Sequence, residues 1–443
     1  MAADTPLRRA LKACRTQFIL VGVFSGVVNL LQLTTSVYMM QVFDRVLATR
    51  VLDTLLYLSI IAIVAVAVLS ILEAVRGKIM QRIGTWIEHR VAPEGFVRAL
   101  ESTLRGRPYR MEALRDLAVC RGYLGSPGAL SLYDIPWVPI YIGVIFLLHP
   151  VMGMIALGGA VLLFGLTLAS ELSTSALLKE ANTAAMSTQR RADAISRNAE
   201  VIESMGMLET LMNRWAVRQR KVLMLQSEAS DKGGTITSIS KTFRNWAQSI
   251  MLGIGAYLVI THQVTPGLMM AGSLLLGRAL SPIDQMIGSW KGFIAAKVQY
   301  GRLSEVLNKL NAEPERMPLP APQGHIQVEN LVVAPPGAKA PVIRNISFVA
   351  PAGSIVGIVG PSAAGKSTLV RALMGIWPTQ HGVVRLDGAD ISSWDKHELG
   401  PYVGYLPQDI ELFEGTISDN ISRFEKIVPE KVVQAAQNGG YTE

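Results

Sequence analysis

Long apolar runs without Asp, Glu, Lys or Arg recur along the chain as far as residue 277, and short alternating segments follow. Phe18–Phe43 is the first run. At the helical rise it spans roughly 39 Å, enough to cross a bilayer with some tilt. Leu55–Leu72 is a second crossing. Asp44, Arg45, Arg50 and Asp53 lie between the two and cancel, which predicts a short neutral external loop. Glu73 to about Arg121 is polar with helical spacing, and Arg76, Lys78, Arg82, Arg90 and Arg98 assign it to the cytoplasm. Ile135–Ser170 is again charge-free; as one helix it would measure about 54 Å, too long for a single span. His149-Pro150 is the natural break, giving a tight helical hairpin. Its first arm is short unless Ala129–Tyr133 joins it, which would place Asp134 at or inside the membrane surface.

Glu171–Arg244 reads as a second cytoplasmic excursion, mostly helical, with Gly206 and Gly233-Gly234 as breaks. Asn245–Gly277, punctuated by Thr265-Pro266-Gly267, predicts a third hairpin whose second arm continues through Arg278 and Asp284 toward Trp290. Those two ionisable residues either face a cavity or partner, or already project into the cytoplasm. The expectation is a short basic cytoplasmic lead (1–17), then a transmembrane domain (18–312) with helices near 18–43, 54–74, 130–149, 151–171, 246–264 and 267–290. Both termini are expected inside.

Glu313–Gln323 (EPERMPLPAPQ) is a Pro-rich linker. Beyond it Ile326–Val333, Val342–Ala350 and Val383–Leu386 read as strands. Ile355–Val359, β-branched and bounded by Gly353 and Gly360, reads as a buried strand. The next residues, Gly360, Pro361, Ser362, Ala363, Ala364, Gly365, Lys366 and Ser367, fit the phosphate-loop pattern G-x-x-x-x-G-K-[ST], and Thr368 opens a helix-period run to Met374. A tight loop between strand and helix aims successive backbone N–H groups at phosphates, and the helix N-terminus adds positive potential. Lys366 would reach the β- and γ-phosphates, and the Ser367 hydroxyl would take a place on Mg²⁺. Residues 324–443 therefore read as a cytoplasmic α/β domain that binds a nucleoside triphosphate.

Composition supports the membrane assignment. Half of the residues are hydrophobic and only 17% are charged, against about a quarter in soluble domains. The net charge of +8 could suggest nucleic acid, but the excess Lys and Arg flank apolar runs, as positive-inside loops do. No nucleic-acid partner is expected. Cys14 and Cys120 lie far apart and suggest neither disulfide nor metal site. The six histidines show no ligand-like pairing, and the scattered methionines read as packing filler. The long first apolar run lacks the features of a cleaved signal peptide.

Tyr38–Arg50 (YMMQVFDRVLATR), Asp134–Pro150 (DIPWVPIYIGVIFLLHP), Val201–Met207 (VIESMGM) and Gly277–Phe293 (GRALSPIDQMIGSWKGF) resemble the wording of type I secretion ABC exporters, in the branch that exports metalloproteases and lipases. The resemblance covers essentially the whole chain. It implies a multi-pass ATPase subunit, homodimeric, in the inner membrane of a Gram-negative bacterium, with ATP and Mg²⁺ as cofactors. A periplasmic membrane-fusion adaptor, an outer-membrane channel and a secreted protein with a C-terminal signal are the implied partners. Val403–Ile421 (VGYLPQDIELFEGTISDNI) resembles the family's Q-loop, making Gln408 the residue that touches Mg²⁺ and the attacking water. Coupling helices are implied around Arg107–Cys120 and Gly206–Trp215.

Two departures stand out. The aromatic residue that stacks on adenine in many relatives should fall near Ala334-Pro335-Pro336, where none occurs, so base stacking is weaker or supplied elsewhere. The signature motif, the Walker B glutamate and the switch histidine are not found after Gln408. Asn438-Gly439-Gly440-Tyr441 lacks the preceding Leu-Ser of a signature, and Arg385 interrupts the apolar run of Val383–Asp387, with Gly388 where Walker B needs Glu. The chain is therefore expected to stop inside the nucleotide-binding domain, to hold no catalytic residue, and to be inactive alone. The alternatives are a non-catalytic membrane subunit that regulates a full-length exporter, a pseudogene product, or a lipid or drug exporter of similar architecture.

Overall fold

A computed structural model of the chain describes residues 6–104, 112–309, 319–338, 340–408, 410 and 412–440. It divides into two compact units, Met1–Ala312 and Glu313–Glu443.

The first unit is helical. A short helix α1 (Pro6–Ala13) is followed after Cys14 by α2 (Arg15–Gln41), which runs through a π-helical turn at Val42–Val46 into α3 (Leu47–Thr49). Helical bonding thus persists through Asp44 and Arg45, and the expected loop shrinks to Arg50, in the left-handed region at φ 56°, and Val51. Helix α4 (Leu52–Leu104) fuses the second apolar run to the polar stretch after it. One face of its apolar start is open, with Leu52, Leu56, Ile60 and Ile63 exposed, while Ser59 meets Tyr38 of α2 at 2.9 Å. Burial begins at Arg76 and continues through Met80, Ile83, Ile87 and Val91, a stripe at helical spacing. That stripe packs with Leu7 and Ala10 of α1, Val21 of α2, Leu117 of α5 (Glu112–Leu124), and Leu303. Of the implied coupling segment Arg107–Cys120, residues 107–111 lie outside the described residues.

Helix α6 (Pro127–Asp134) is linked by a 3₁₀ turn, Ile135–Trp137, to α7 (Val138–Leu148). Pro136 and Pro139 lack the donors an uninterrupted α-helix needs, and the tighter turn accommodates them. The first arm of the hairpin therefore does extend back past Ala129, and Asp134 lies within a membrane-length stretch, Pro127–Leu148. Its Oδ1 accepts from Ser25 Oγ (2.7 Å), Asn29 Nδ2 (2.8 Å) and Arg76 Nη1 (2.7 Å). Tyr141 extends the network by donating its hydroxyl to the Asn29 carbonyl at 2.8 Å. At the hairpin tip His149 is extended, its Nδ1 accepts from Val151 N at 3.2 Å, and Pro150 occupies the first position of α8 (Pro150–Ser196).

After α9 (Ala199–Ser204), Gly206 at φ 62° breaks the chain before α10 (Leu208–Ile260). The expected break at Gly233-Gly234 does not occur, because both glycines lie inside α10. Each costs a helix about 1 kcal/mol. The packing of α10 along α8, where Gly233 sits against Thr174, outweighs that cost. Helix α11 (Pro266–Lys309) closes the unit. Asp44 caps its start from across the fold, Oδ1 accepting from Gly267 N at 2.8 Å and Oδ2 from Thr265 Oγ1 at 2.6 Å. Farther along, Asp284 turns inward to Arg244 (3.2 Å) and Ser240 (2.6 Å), whereas Arg278 is exposed.

Among the described residues four stretches are long and apolar enough to cross a membrane: Arg15–Thr49, Leu52–Leu104, Pro127–Leu148 and Pro150–Ser196. Helices α10 and α11, which carry the other two expected crossings, are not among them. Arg244 borders the apolar part of α10, Arg278 and Asp284 interrupt that of α11, and both helices contribute to the bundle core, where Met251, Leu276 and Leu280 pack with Ile145, Met152 and Leu163. A helix shielded by its neighbours needs less hydrocarbon character than one facing lipid.

The second unit holds a four-stranded antiparallel sheet in the order β2-β1-β3-β4, from β1 (Ile326–Val333), β2 (Ile343–Ala350), β3 (His381–Leu386) and β4 (Ala389–Asp390). Val328 sits opposite Phe348 on one side and Val384 on the other. Beneath the sheet Leu331, Val333, Ile343 and Trp394 bury Leu369 and Ala372 of α12 (Lys366–Leu373). Helices α13 (Lys396–Leu399), α14 (Ile417–Ile421) and α15 (Pro429–Asn438) follow.

Candidate functional site

The phosphate-loop motif folds around its own lysine. Lys366 Nζ donates to the Gly360 carbonyl at 2.7 Å and to the Pro361 carbonyl at 2.8 Å, drawing the two ends of the loop together. Between them Ala364 N donates to Pro361 O at 3.2 Å, and Ala363 takes φ 65°. Gly365 takes φ 95° immediately before α12, and a Cβ there would stand 2.9 Å from both Ile343 Cδ1 and Val342 Cγ1. Backbone conformation and space therefore both select glycine at this position. Leu369 N closes the first helical turn on Gly365 O at 2.9 Å, so the amides ahead of it are the unpaired donors of a helix start. Thr368 is buried, while Ser362 and Ser367 remain exposed. An ammonium, a hydroxyl and helix-start amides thus gather at one loop held tight by glycine, a donor set that fits polyphosphate and, through Ser367, a hydrated Mg²⁺. Behind the loop the Arg371 guanidinium lies 4.9 Å over the Trp377 ring and fastens the far end of α12.

The strand expected ahead of the loop is absent. Residues 353–361 form no strand, Ile355 is fully exposed and Val359 is 95% exposed. A β-branched run becomes a strand only by exchanging ladder hydrogen bonds with a neighbour, and no segment among the described residues pairs with it. Its apolar side chains consequently stay open rather than forming a sheet centre.

Gln408 lies exposed in a bend that follows the irregular segment 403–407, and no hydrogen bond joins it to the phosphate loop among the described residues. Downstream the chain is well fastened. Asn420 accepts from Phe413 N at 3.0 Å and donates to its carbonyl at 2.9 Å, and Thr416 and Asp419 form a reciprocal capping box on α14. At Ala334-Pro335-Pro336 the chain makes a turn, with Ala338 N donating to Pro335 O at 2.9 Å and no aromatic side chain in it.

Asp387 has a structural occupation. It sits at φ 51° in the turn between β3 and β4, where its carboxylate accepts from the backbone N–H groups of Gln323 (2.6 Å), Gly324 (3.2 Å) and His325 (2.9 Å). Burial pushes its carboxyl upward, but the three donors prevail and hold it below the ordinary carboxylate value. This acid ties the start of the unit to the sheet. The segment Gly206–Trp215 comprises the turn at Gly206 and the first residues of α10, where Leu208 and Met212 are exposed.

Residues 343–440 match the sequence profile of the ABC transporter family. Over 97% of its length the chain is 41% identical to the type I secretion system ATP-binding protein PrsD of Rhizobium meliloti (strain 1021), covering 74% of that protein. It is 26% identical to the alpha-hemolysin translocation ATP-binding protein HlyB of Escherichia coli over 96% of this chain and 61% of that one. A third relative, a fatty acid ABC transporter ATP-binding/permease protein of Mycobacterium bovis, is 34% identical over 41% of this chain and 29% of its own.

Proposed function

We propose, because the chain belongs to the type I secretion ATP-binding proteins of the ABC transporter family, that it is the ATP-binding membrane subunit of a protein exporter in a bacterial inner membrane. The observation that carries this reading is the pairing of a loop shaped for phosphate with at least four membrane-length stretches in one chain. Similarity to PrsD along nearly the whole chain, against a match over less than half of it to the fatty acid transporter, favours a protein cargo over a lipid.

In this reading all six apolar segments cross the membrane, α10 and α11 included, and residues 324–440 lie in the cytoplasm. Two copies of the chain would sandwich ATP. Lys366 exchanges its two carbonyl partners for β- and γ-phosphate oxygens, and the residues from Gly360 to Thr368 wrap the phosphates with backbone N–H groups. Ser367 and Gln408 would hold Mg²⁺, which neutralises the charge developing on the transferred phosphoryl group. Gln408 suits the place because its amide offers a carbonyl without adding charge. Exposed Leu208 and Met212, at the tip of the second helical excursion, would dock against a nucleotide-binding unit and couple its state to the membrane helices. A periplasmic membrane-fusion adaptor, an outer-membrane channel and a secreted protein bearing a C-terminal signal complete the assembly.

The test uses the full-length gene product in proteoliposomes. It should hydrolyse ATP, and Lys366→Ala should lower turnover at least about 10²-fold, the scale of losing one charge-stabilising group. Undiminished turnover in the variant would exclude the assigned role of the loop.

A further inference from the structure

The junction of α1 and α2 carries a groove unrelated to the nucleotide loop. It is an open, shallow trough of about 620 Å³, with Lys12 and Arg15 at one end and Phe18, Ile19, Gly22 and Tyr133 farther along. The two ends differ in chemistry. Residues 6–17 include Arg8, Arg9, Lys12 and Arg15 and no acidic residue. From Arg15 onward α2 is charge-free to Phe43 and is one of the membrane-length stretches. Helix α1 is held in place by its apolar face, with Leu7 and Ala10 buried against Met80, Ile83 and Leu303. Its other face, with Arg8, Arg9 and Lys12, is exposed.

Gly22 lies about 10 Å along the α2 axis from Arg15 at the helical rise. The groove therefore runs from the basic end of the helix onto its charge-free, membrane-length part. A Cβ on Gly22 would come no closer than 3.8 Å to Tyr133, so glycine is not demanded there by helix packing. Its absent side chain instead leaves width between α2 and α6. Ile19 stands 57% exposed beside it.

We propose that this groove binds one anionic diacyl phospholipid of the cytoplasmic leaflet. Its phosphate would lie at Arg15 and Lys12, and one acyl chain along Phe18, Ile19, Gly22 and Tyr133. Charge complementarity argues for lipid over a protein segment. A basic rim directly above an apolar slot matches a negatively charged headgroup joined to a hydrocarbon tail, and the inner leaflet supplies such molecules at this depth. The inference rests on the cytoplasmic placement of residues 6–17 but not on the phosphate loop.

The experiment uses the full-length protein purified in mild detergent, with native mass spectrometry after stepwise delipidation. The wild type should retain phosphatidylglycerol well beyond phosphatidylcholine. Lys12→Glu with Arg15→Glu should lower that preference at least about tenfold, since each basic residue near a membrane surface contributes roughly a fivefold factor. Gly22→Leu, which fills the slot, should reduce retention of both lipids while sparing protein yield. Equal retention of the two lipids by the wild type, or an unchanged preference after the double reversal, would overturn the proposal. A photo-reactive residue at position 19 gives a second measurement in intact membranes. Adducts of phospholipid mass support the site, and adducts to a peptide or a second copy of the chain refute it. Labelling of Arg9→Cys from the cytoplasmic side alone checks the placement separately, so a wrong topology and a wrong ligand are told apart.

Discussion

Asp134 joins three helices through one oxygen atom. Its Oδ1 receives donors from Ser25 and Asn29 on α2 and from Arg76 on α4, while Asp134 itself ends α6. The Arg76 and Asp134 side chains are only 8% and 13% exposed. Charges so placed cost much to desolvate, and the pair is tolerable because each neutralises the other. Asp134→Ala leaves the guanidinium without its counter-ion and should lower stability by about 3–5 kcal/mol. Replacing both residues, Arg76→Met with Asp134→Leu, should restore most of that loss. Unfolding of the detergent-solubilised protein measures both, and a single variant as stable as the wild type would show that the pair does not hold the helices together. Periodicity alone leaves the position of Asp134 open, because the charge-free run starts only at Ile135 and nothing local shows whether Ala129–Tyr133 joins it. The 3₁₀ turn at Ile135–Trp137 absorbs both prolines, and only the folded chain shows that it does.

At the scale of elements, helix α11 starts under the control of a residue more than two hundred positions earlier. Asp44 satisfies Gly267 N and Thr265 Oγ1 from a π-helical turn. A carboxylate at a helix N-terminus pairs an orphan donor and meets the positive end of the macrodipole. Asp44→Ala should cost about 1 kcal/mol, concentrated in the first turn of α11. Hydrogen exchange at residues 267–270 should accelerate while exchange in α8 stays unchanged; uniform acceleration would mean that the cap supports the whole bundle instead. Local pattern shows Asp44 merely as one of four loop charges that cancel, because its partner is distant in sequence. Elements that depend on their own residues read more directly. The apolar run of α2 and the glycine-lysine spacing of the phosphate loop announce their conformations, since helix bonding and a left-handed Gly365 are local matters. The run Ile355–Val359 misleads for the opposite reason, as strand formation needs a partner that composition cannot supply. Gly233-Gly234 misleads because 53 residues of packed helix override two weak positions.

For the molecule as a whole, the acids of the second unit decide what the polypeptide of residues 1–443 can do with ATP. Efficient hydrolysis needs a group beside the γ-phosphate to orient or activate water, and a carboxylate is the side chain best able to take its proton. Asp387 is committed to three backbone amides, Asp390 to Ser392, Asp395 to the start of α13, and Asp419 to the capping box of α14. Glu329 is engaged by Gln327 and Arg385. No carboxylate among the described residues hydrogen-bonds a residue of the phosphate loop. The loop itself has what binding requires, because Lys366, Ser367 and the glycine-shaped turn are held together on the sheet that supports α12. Binding and turnover should therefore separate in this polypeptide. Purified residues 1–443 in proteoliposomes should take up a fluorescent ATP analogue, lose it on Lys366→Ala, and release no phosphate above the lipid background. Phosphate release that disappears with Lys366→Ala would mean that an acid of this unit reaches the γ-phosphate and acts as the base. Asp387→Asn would then be the first variant to make, since that carboxylate ends the strand most similar to a Walker B segment.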